Sequence, residues 1–228
     1  MGSRNFDLAE ACSTIITEIR RLKSDRPGPV VVALDGGSGA GKTTLASLIE
    51  KEMAAAVIQV DDFFAADIPD SHWDDFSVEE RLKYVFDWQR LRENAIEPLL
   101  AGQPARWYPF DFESGLRSDG TYGMQSEPVE LEPAEVILLD GAYSAGPALR
   151  DIVDLTVLVD VPLEERHRRL ASREDKEFME RWHQLWDPVE EYYFTEVRPR
   201  TSFDLVVGDG ALSVEPKVDK TTFSIRKR

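Results

Sequence analysis

Between an apolar run and a helix-like stretch, residues Gly36 to Thr43 read GGSGAGKT: Gly, four residues of any kind, Gly, Lys and Thr. No other segment restricts the fold so tightly, because such a loop works only where a buried strand delivers it and a helix leaves it. Val30, Val31, Val32, Ala33 and Leu34 supply the β-branched run of a buried parallel strand. Leu45, Leu48, Ile49 and Met53 recur at helical spacing after the loop. Glycines let successive backbone N–H groups turn inward around phosphates, since residues without Cβ accept those angles and that approach. Gly36, Gly37, Ser38, Gly39, Ala40, Gly41, Lys42, Thr43 and Thr44 are therefore expected to cradle a nucleotide. Lys42 would neutralise charge on the β and γ phosphates, and the Thr43 hydroxyl would enter a Mg²⁺ shell. A glycine-rich turn that merely joins two elements is the competing reading, and the strand, loop, helix order weighs against it.

At 228 residues, one α/β domain with an attached lid accounts for the chain. Composition is ordinary, 42% hydrophobic and 31% charged, and no apolar stretch approaches the roughly 18 residues of a spanning helix. A soluble protein without a membrane partner is expected. The opening MGSRNF lacks the basic start and apolar core of a secretory signal, and Phe6 stands where a myristoylation motif wants Ser or Thr. A cytoplasmic location follows as an expectation. Cys12 is the only cysteine and shares a stripe with Leu8, Ile15, Ile19 and Leu22, which assigns it to core packing. The formal net charge of −16 would repel a nucleic-acid backbone and argues against a nucleic-acid partner.

Along the chain, apolar spacing predicts a first helix over about residues 7–24, then the strand, loop and second helix. Val57 to Val60 reads as a short strand ending in Asp61 and Asp62, and a flexible acceptor-side loop is expected from there to about residue 77. Val78, Leu82, Val85, Trp88, Leu91, Ala95 and Leu99 predict one long amphipathic helix stopping near Gly102. Residues 105–134 show no clear period and fit short strands or a substrate-covering excursion. Val136 to Leu139 and Leu155 to Val159 read as buried strands ending in Asp140 and Asp160, with Pro162 opening the next helix. Asp187, Pro188 and Glu190 match an N-cap, a first-turn proline and a capping-box acid, so one helix is expected to end near Trp186 and another to begin. Phe203 to Val207 reads as a last core strand.

Alternating strands and helices imply a parallel sheet covered on both faces, with ligands at the carboxyl ends of the strands. Asp61, Asp140 and the phosphate loop each follow an apolar strand, so three segments are expected to converge. Phosphoryl transfer needs mostly positioning and charge neutralisation. Lys42 and the loop amides would hold the donor; Thr43 and Asp140, with Asp61 nearby, would hold Mg²⁺; Asp61 would orient and deprotonate an acceptor hydroxyl. A carboxylate in such a place can instead cap a helix or solvate a loop. Of the cluster Arg166, Arg168, Arg169 and Arg173, the i, i+4 pair Arg169 and Arg173 could stabilise charge during transfer, with a solvated helix face as the alternative.

With the loop, VDDFF, FDF and the strand ending in Asp140 in hand, the chain resembles the uridine kinase and phosphoribulokinase group over most of residues 29–207. The resemblance implies an α/β fold: a P-loop NTPase-type three-layer sandwich with a central, mostly parallel sheet, a helical lid and an acceptor-side excursion. It implies a single domain over 1–228, with a core of about 29–207, an acceptor-side region of about 61–134 and a lid of about 166–186. Asp61, followed by Phe63 and Phe64, looks like the family's catalytic acid/base before an aromatic pair, and Asp140-Gly141 like its acidic residue near Mg²⁺. Arg169, with Arg173 and Glu174, looks like its lid. Asp74 resembles a ribose-hydroxyl contact. Phe110-Asp111-Phe112 stands where uridine kinases carry a tyrosine, Asp and Phe, and Gly115 where a base-reading histidine would lie, which removes two polar groups. Tyr108 and Trp107 could line an acceptor pocket by stacking or serve as core aromatics.

Those features imply an ATP- and Mg²⁺-dependent kinase acting on a hydroxyl of a nucleoside or related small molecule. A kinase of a pantothenate- or sugar-like acceptor and a non-catalytic ATP-dependent switch are the alternatives. Homo-oligomers are common among related kinases.

Overall fold

The computed structural model describes residues 8–171, 176–208 and 213–214. Helix α1 (Leu8–Asp25) buries Ala11, Cys12, Ile15, Ile16 and Ile19 along one stripe, the face its spacing defines. It leads to β1 (Val30–Asp35), buried at every position, and the loop then opens α2 (Lys42–Glu52). β2 (Ala56–Gln59) lies one residue earlier than its apolar pattern suggests, since Val60 begins a 3₁₀ turn, Val60–Phe63.

The next region departs from the sequence reading. The expected loop to residue 77 contains that turn and a short helix, α3 (His72–Asp75). The expected single helix over 78–99 is instead α4 (Val78–Tyr84), then α5 (Trp88–Leu91), a π-helical turn Arg92–Ile96 and α6 (Glu97–Leu100). Backbone pairing breaks the stripe: Ala65 N–H donates to Val85 O at 3.0 Å and Asp87 N–H to Phe63 O at 2.8 Å. Val85 and Phe86 remain buried, so the apolar period survives while the helix does not. Asp87 then caps α5 by accepting from Arg90 N–H.

Residues 105–134 form two small antiparallel ladders. β3 (Ala105–Trp107) pairs with β6 (Val129–Leu131), and between them β4 (Phe110–Asp111) pairs with β5 (Gly123–Met124). The chain returns to the main sheet with β7 (Val136–Asp140) and β8 (Leu155–Asp160), followed by α7 (Leu163–Leu170). Helix α8 (Lys176–Tyr192) runs through Pro188, where a break was expected. The Asp187 carboxylate faces His167 and His183 instead of capping a new helix. Burial of Val189 and Glu190 holds the helix on course past the missing N–H. β9 (Leu205–Gly208) starts two residues late because Asp204 bonds Thr156, and β10 (Ser213–Val214) closes the edge antiparallel.

The main sheet has the order β10-β9-β8-β1-β7-β2, parallel from β9 to β2. Alternate strand residues separate into two cores, as a pleated sheet covered on both faces requires. Val30, Val32, Leu34, Val136 and Leu138 pack with α1 and α2, whereas Val31, Ile137 and Leu139 pack with residues 85–110 and α8. This is the three-layer α/β arrangement. β1 lies between β7 and β8, so the loop after it opens at the crevice where the strand order reverses.

Candidate active site

The site starts with the loop after β1. Gly36 has φ +146°, and a Cβ there would lie 2.5 Å from Val159 O; Gly39 (φ +79°) would carry one 2.9 Å from Arg166 O. The backbone can therefore pass so close to β8 and α7 only as glycine. Lys42 folds back across the loop, donating to Gly36 O at 2.7 Å and Gly37 O at 3.1 Å.

Two buried acids absent from the sequence-derived set hold this loop. Asp35, wholly buried, accepts from Gly36 N–H (2.7 Å), Tyr143 N–H (2.9 Å), Ala145 N–H (3.0 Å) and the Tyr193 hydroxyl (2.6 Å). Burial pushes its carboxyl up and these donors pull it back. Glu190 accepts from Ser38 N–H at 2.7 Å and from Arg166 at 2.6 Å, while Arg166 also donates to Ser38 O at 3.0 Å. Both ends of the Ser38 peptide are thus tied to one buried ion pair. An aspartate closing an apolar strand next to a glycine loop was a visible hint of Asp35. Nothing near Glu190 in sequence announces a partner 152 positions away.

Asp140 ends β7 and is 2% exposed; its Oδ2 is buried without a hydrogen-bond partner. Burial raises its carboxyl, opposed by Lys42 and by hydrogen bonds from Thr43 and Gln59. An orphaned buried carboxylate oxygen beside a threonine hydroxyl is an oxygen-rich donor set that suits Mg²⁺. Asp61, in the turn after β2, is exposed at the cleft. Loss of hydration against the cleft walls pushes its carboxyl up to about 6, with Lys42 opposing and Asp140 and Asp62 adding. A ligand that closed over it would strengthen the effect. Neighbouring Asp62 points elsewhere and accepts from Trp107 Nε1 at 2.8 Å.

A cleft of about 1030 Å³ joins these groups. Ser38, Gly39, Ala40, Gly41, Lys42, Thr43 and Thr44 line it together with Asp61, Phe64, Asp140 and Arg169; Gly36 and Gly37 lie beneath, their carbonyls on Lys42. Arg168 and Arg169 share Glu165, whose carboxyl they pull down to about 2, and Arg169 also reaches Ala40 O at 3.3 Å. Arg173 lies outside the described residues. A second cavity of about 460 Å³ adjoins the cleft through Phe64, Phe112, Trp182 and Trp186, and Phe110 and Gly115 also line it.

Two expected acceptor contacts fall elsewhere. Asp74 lines neither cavity; its carboxylate, 57% exposed, pairs with Arg181 at 2.8 Å. Tyr108 is 41% exposed, lines neither cavity and packs against Arg106. Trp107 is a buried core residue. The cavity instead presents Trp73, Trp182, Trp186 and Tyr122, with Asp70 and Arg181 as its charged pair at 3.3 Å.

The family described as Zeta toxin matches residues 14–71, from α1 through the phosphate loop to the turn after β2. A uridine kinase of Ligilactobacillus salivarius is 26% identical over 88% of this chain and 96% of its own length. That of Halobacterium salinarum is 28% identical over 80% and 81%. Among solved structures, a possible uridine kinase from Bacillus stearothermophilus superposes with a TM-score of 0.62 at 20% identity, covering 88% of this chain and 96% of the other. A candidate fructose transport system kinase from Silicibacter sp. gives 0.58 at 21% identity, covering 85% and 96%. The chain has the α/β fold of uridine kinase-like P-loop kinases, and its sequence resemblance to uridine kinases extends over most of its length. Among the described residues no helix is long and apolar enough to cross a membrane.

Proposed function

We propose that the chain is an ATP- and Mg²⁺-dependent kinase that transfers the γ-phosphate to a hydroxyl of a small metabolite, acting as a cytoplasmic enzyme. The observation that carries this reading is the meeting of Lys42, Thr43, Asp140 and Asp61 on one cleft that continues into a separate cavity. A nucleotide switch needs the first three; a further carboxylate on a cleft that continues into a second cavity suits an acceptor.

Lys42 and the loop amides would bind and orient the donor phosphates. Thr43 and Asp140 would hold Mg²⁺, which when bound screens phosphate charge. Asp61 would accept the proton of the attacking hydroxyl, and its raised carboxyl makes it a stronger base than an ordinary aspartate. Arg169 would contribute positive charge at the phosphate end of the cleft. Phe64, Phe110 and the tryptophans of α8 would enclose the acceptor.

Nucleosides fit the uridine kinase resemblance. The aromatic lining, with Phe110 and Gly115 in place of polar groups, favours as a second reading a non-nucleoside acceptor with an apolar portion next to its hydroxyl. Incubation with MgATP and an acceptor panel, followed by mass spectrometry, tests both. A phosphorylated product is expected, with transfer cut about 10²- to 10⁴-fold in Asp61→Asn while ATP binding persists. Undiminished transfer in that variant would remove Asp61 from the role of base.

A further inference from the structure

His167 of α7 and His183 and Asp187 of α8 form a compact group apart from the cleft, with one ligand atom from each within 4.8 Å of the others. His183 Nδ1 lies 3.1 Å from Asp187 Oδ1, and His167 Nε2 lies 2.9 Å from Asp187 Oδ2. The two imidazole centroids are only 3.7 Å apart. His167 Nε2 is nevertheless buried without a hydrogen-bond partner, because its approach to the carboxylate lacks hydrogen-bond alignment. Two imidazole nitrogens, each beside a different oxygen of one carboxylate, form an arrangement that a shared cation completes. Ligands around a tetrahedral Zn²⁺ with bonds of about 2.0–2.1 Å stand about 3.3 Å apart, so the three ligand atoms, now within 4.8 Å, would draw together and the two rings swing apart on binding.

We propose that His167, His183 and Asp187 bind a transition-metal ion of the Zn²⁺ class, separate from the Mg²⁺ position at Thr43 and Asp140. Two nitrogens and one carboxylate suit Zn²⁺ and its neighbours, whereas Mg²⁺ demands oxygen. Three protein ligands leave a fourth position for water. The ion would join α7 to α8 beside the support of the phosphate loop. His167 follows Arg166, and Asp187 lies one helical turn before Glu190, so the bridged segments carry the ion pair that holds Ser38. This site is independent of the acceptor's identity and of whether transfer occurs.

The test uses the full chain, stripped with EDTA, dialysed and titrated with Zn²⁺ against a chromophoric chelator in excess Mg²⁺. One high-affinity Zn²⁺ per chain is expected. His167→Gln, His183→Gln and Asp187→Asn should each weaken binding at least about 100-fold. His72→Gln, the remaining histidine, and Asp140→Asn should leave it unchanged. Co²⁺ in place of Zn²⁺ should give the visible absorption of a tetrahedral site, lost in His167→Gln. Circular dichroism identifies folded variants; if a glutamine variant unfolds, His167→Cys, which keeps a ligand, should retain Zn²⁺ and change the Co²⁺ spectrum. Absence of stoichiometric binding, or equal affinity in folded His183→Gln and the parent, would overturn the proposal.

Discussion

At the scale of single residues, Asp61 gives the sharpest expectations. As the base proposed above, with its carboxyl near 6, Asp61 would be active only when deprotonated, so kcat/KM should fall about tenfold per pH unit below about pH 6 and level off above. The sign for stability is opposite. A carboxyl raised on folding binds its proton more tightly in the native state, so its favourable contribution is complete below about pH 4 and lost as pH rises through about 6. Asp61→Asn should therefore melt above the parent at pH 8, with the gap closing near pH 4; a lower melting temperature at pH 8 would contradict this. Glu190 is the counterpart whose loss harms the fold. Glu190→Gln leaves Arg166, 11% exposed, without its charge partner and should cost about 3 kcal/mol in urea unfolding. The phosphate-loop residues, Asp61 and Asp140 were legible because each stands directly after an apolar strand. Asp35 shared that position but its role depends on Tyr193, and Glu190 carried no such signal, its partner Ser38 being brought near only by folding. Asp74 and Tyr108 were misplaced for the same reason, because Arg181 and Arg106 claim them.

At the scale of elements, the contact between the ends of β2 and β7 is tight enough to measure. A Cβ on Gly141 would lie 2.5 Å from Val60 Cβ, so Gly141→Ala should destabilise by about 1–3 kcal/mol. Val60→Gly, which removes the Cβ that alanine would keep, should recover part of that loss in the double variant, and additivity of the two would refute the contact as the cause. The five parallel strands were readable because burial on both faces writes a continuous apolar run. The stripe from Val78 to Leu99 was misread as one helix, since a helical period reports which side chains are buried and not whether hydrogen bonds run unbroken between them. The ladders between Ala105 and Leu131 have strands of two or three residues, too short for a period, and their order comes from cross-strand pairing. Pro188 and its neighbours carried a cap signature that tertiary burial of α8 overrode.

At the scale of the molecule, donor and metal should stabilise the fold together. A non-hydrolysable ATP analogue with Mg²⁺ at 100 times its dissociation constant should add about 2.7 kcal/mol, raising the melting temperature. In Asp140→Asn the part of that rise requiring Mg²⁺ should vanish while the nucleotide part remains; an unchanged response to Mg²⁺ would exclude Asp140 as its ligand. The overall architecture was legible because one motif fixes a strand, a loop and a helix, and the remaining apolar runs fit only a sheet around them. The second cavity was not, as its walls come from α3, β4 and α8, distant in sequence. Asp35 carries a consequence for how such a chain can change over generations. Its two oxygens each accept from two donors, three of them peptide N–H groups that no substitution other than proline removes. Asparagine would present its amide to a backbone donor in either orientation, and a shorter or apolar side chain would leave several donors dry. Glutamate, one nucleotide away, keeps both acceptor oxygens but must fit an extra methylene into a wholly buried site, so every exit from aspartate at position 35 is costly. In a saturation library screened for folded protein, aspartate alone should survive there, while Tyr193, which can lose one hydroxyl as phenylalanine, stays open to drift.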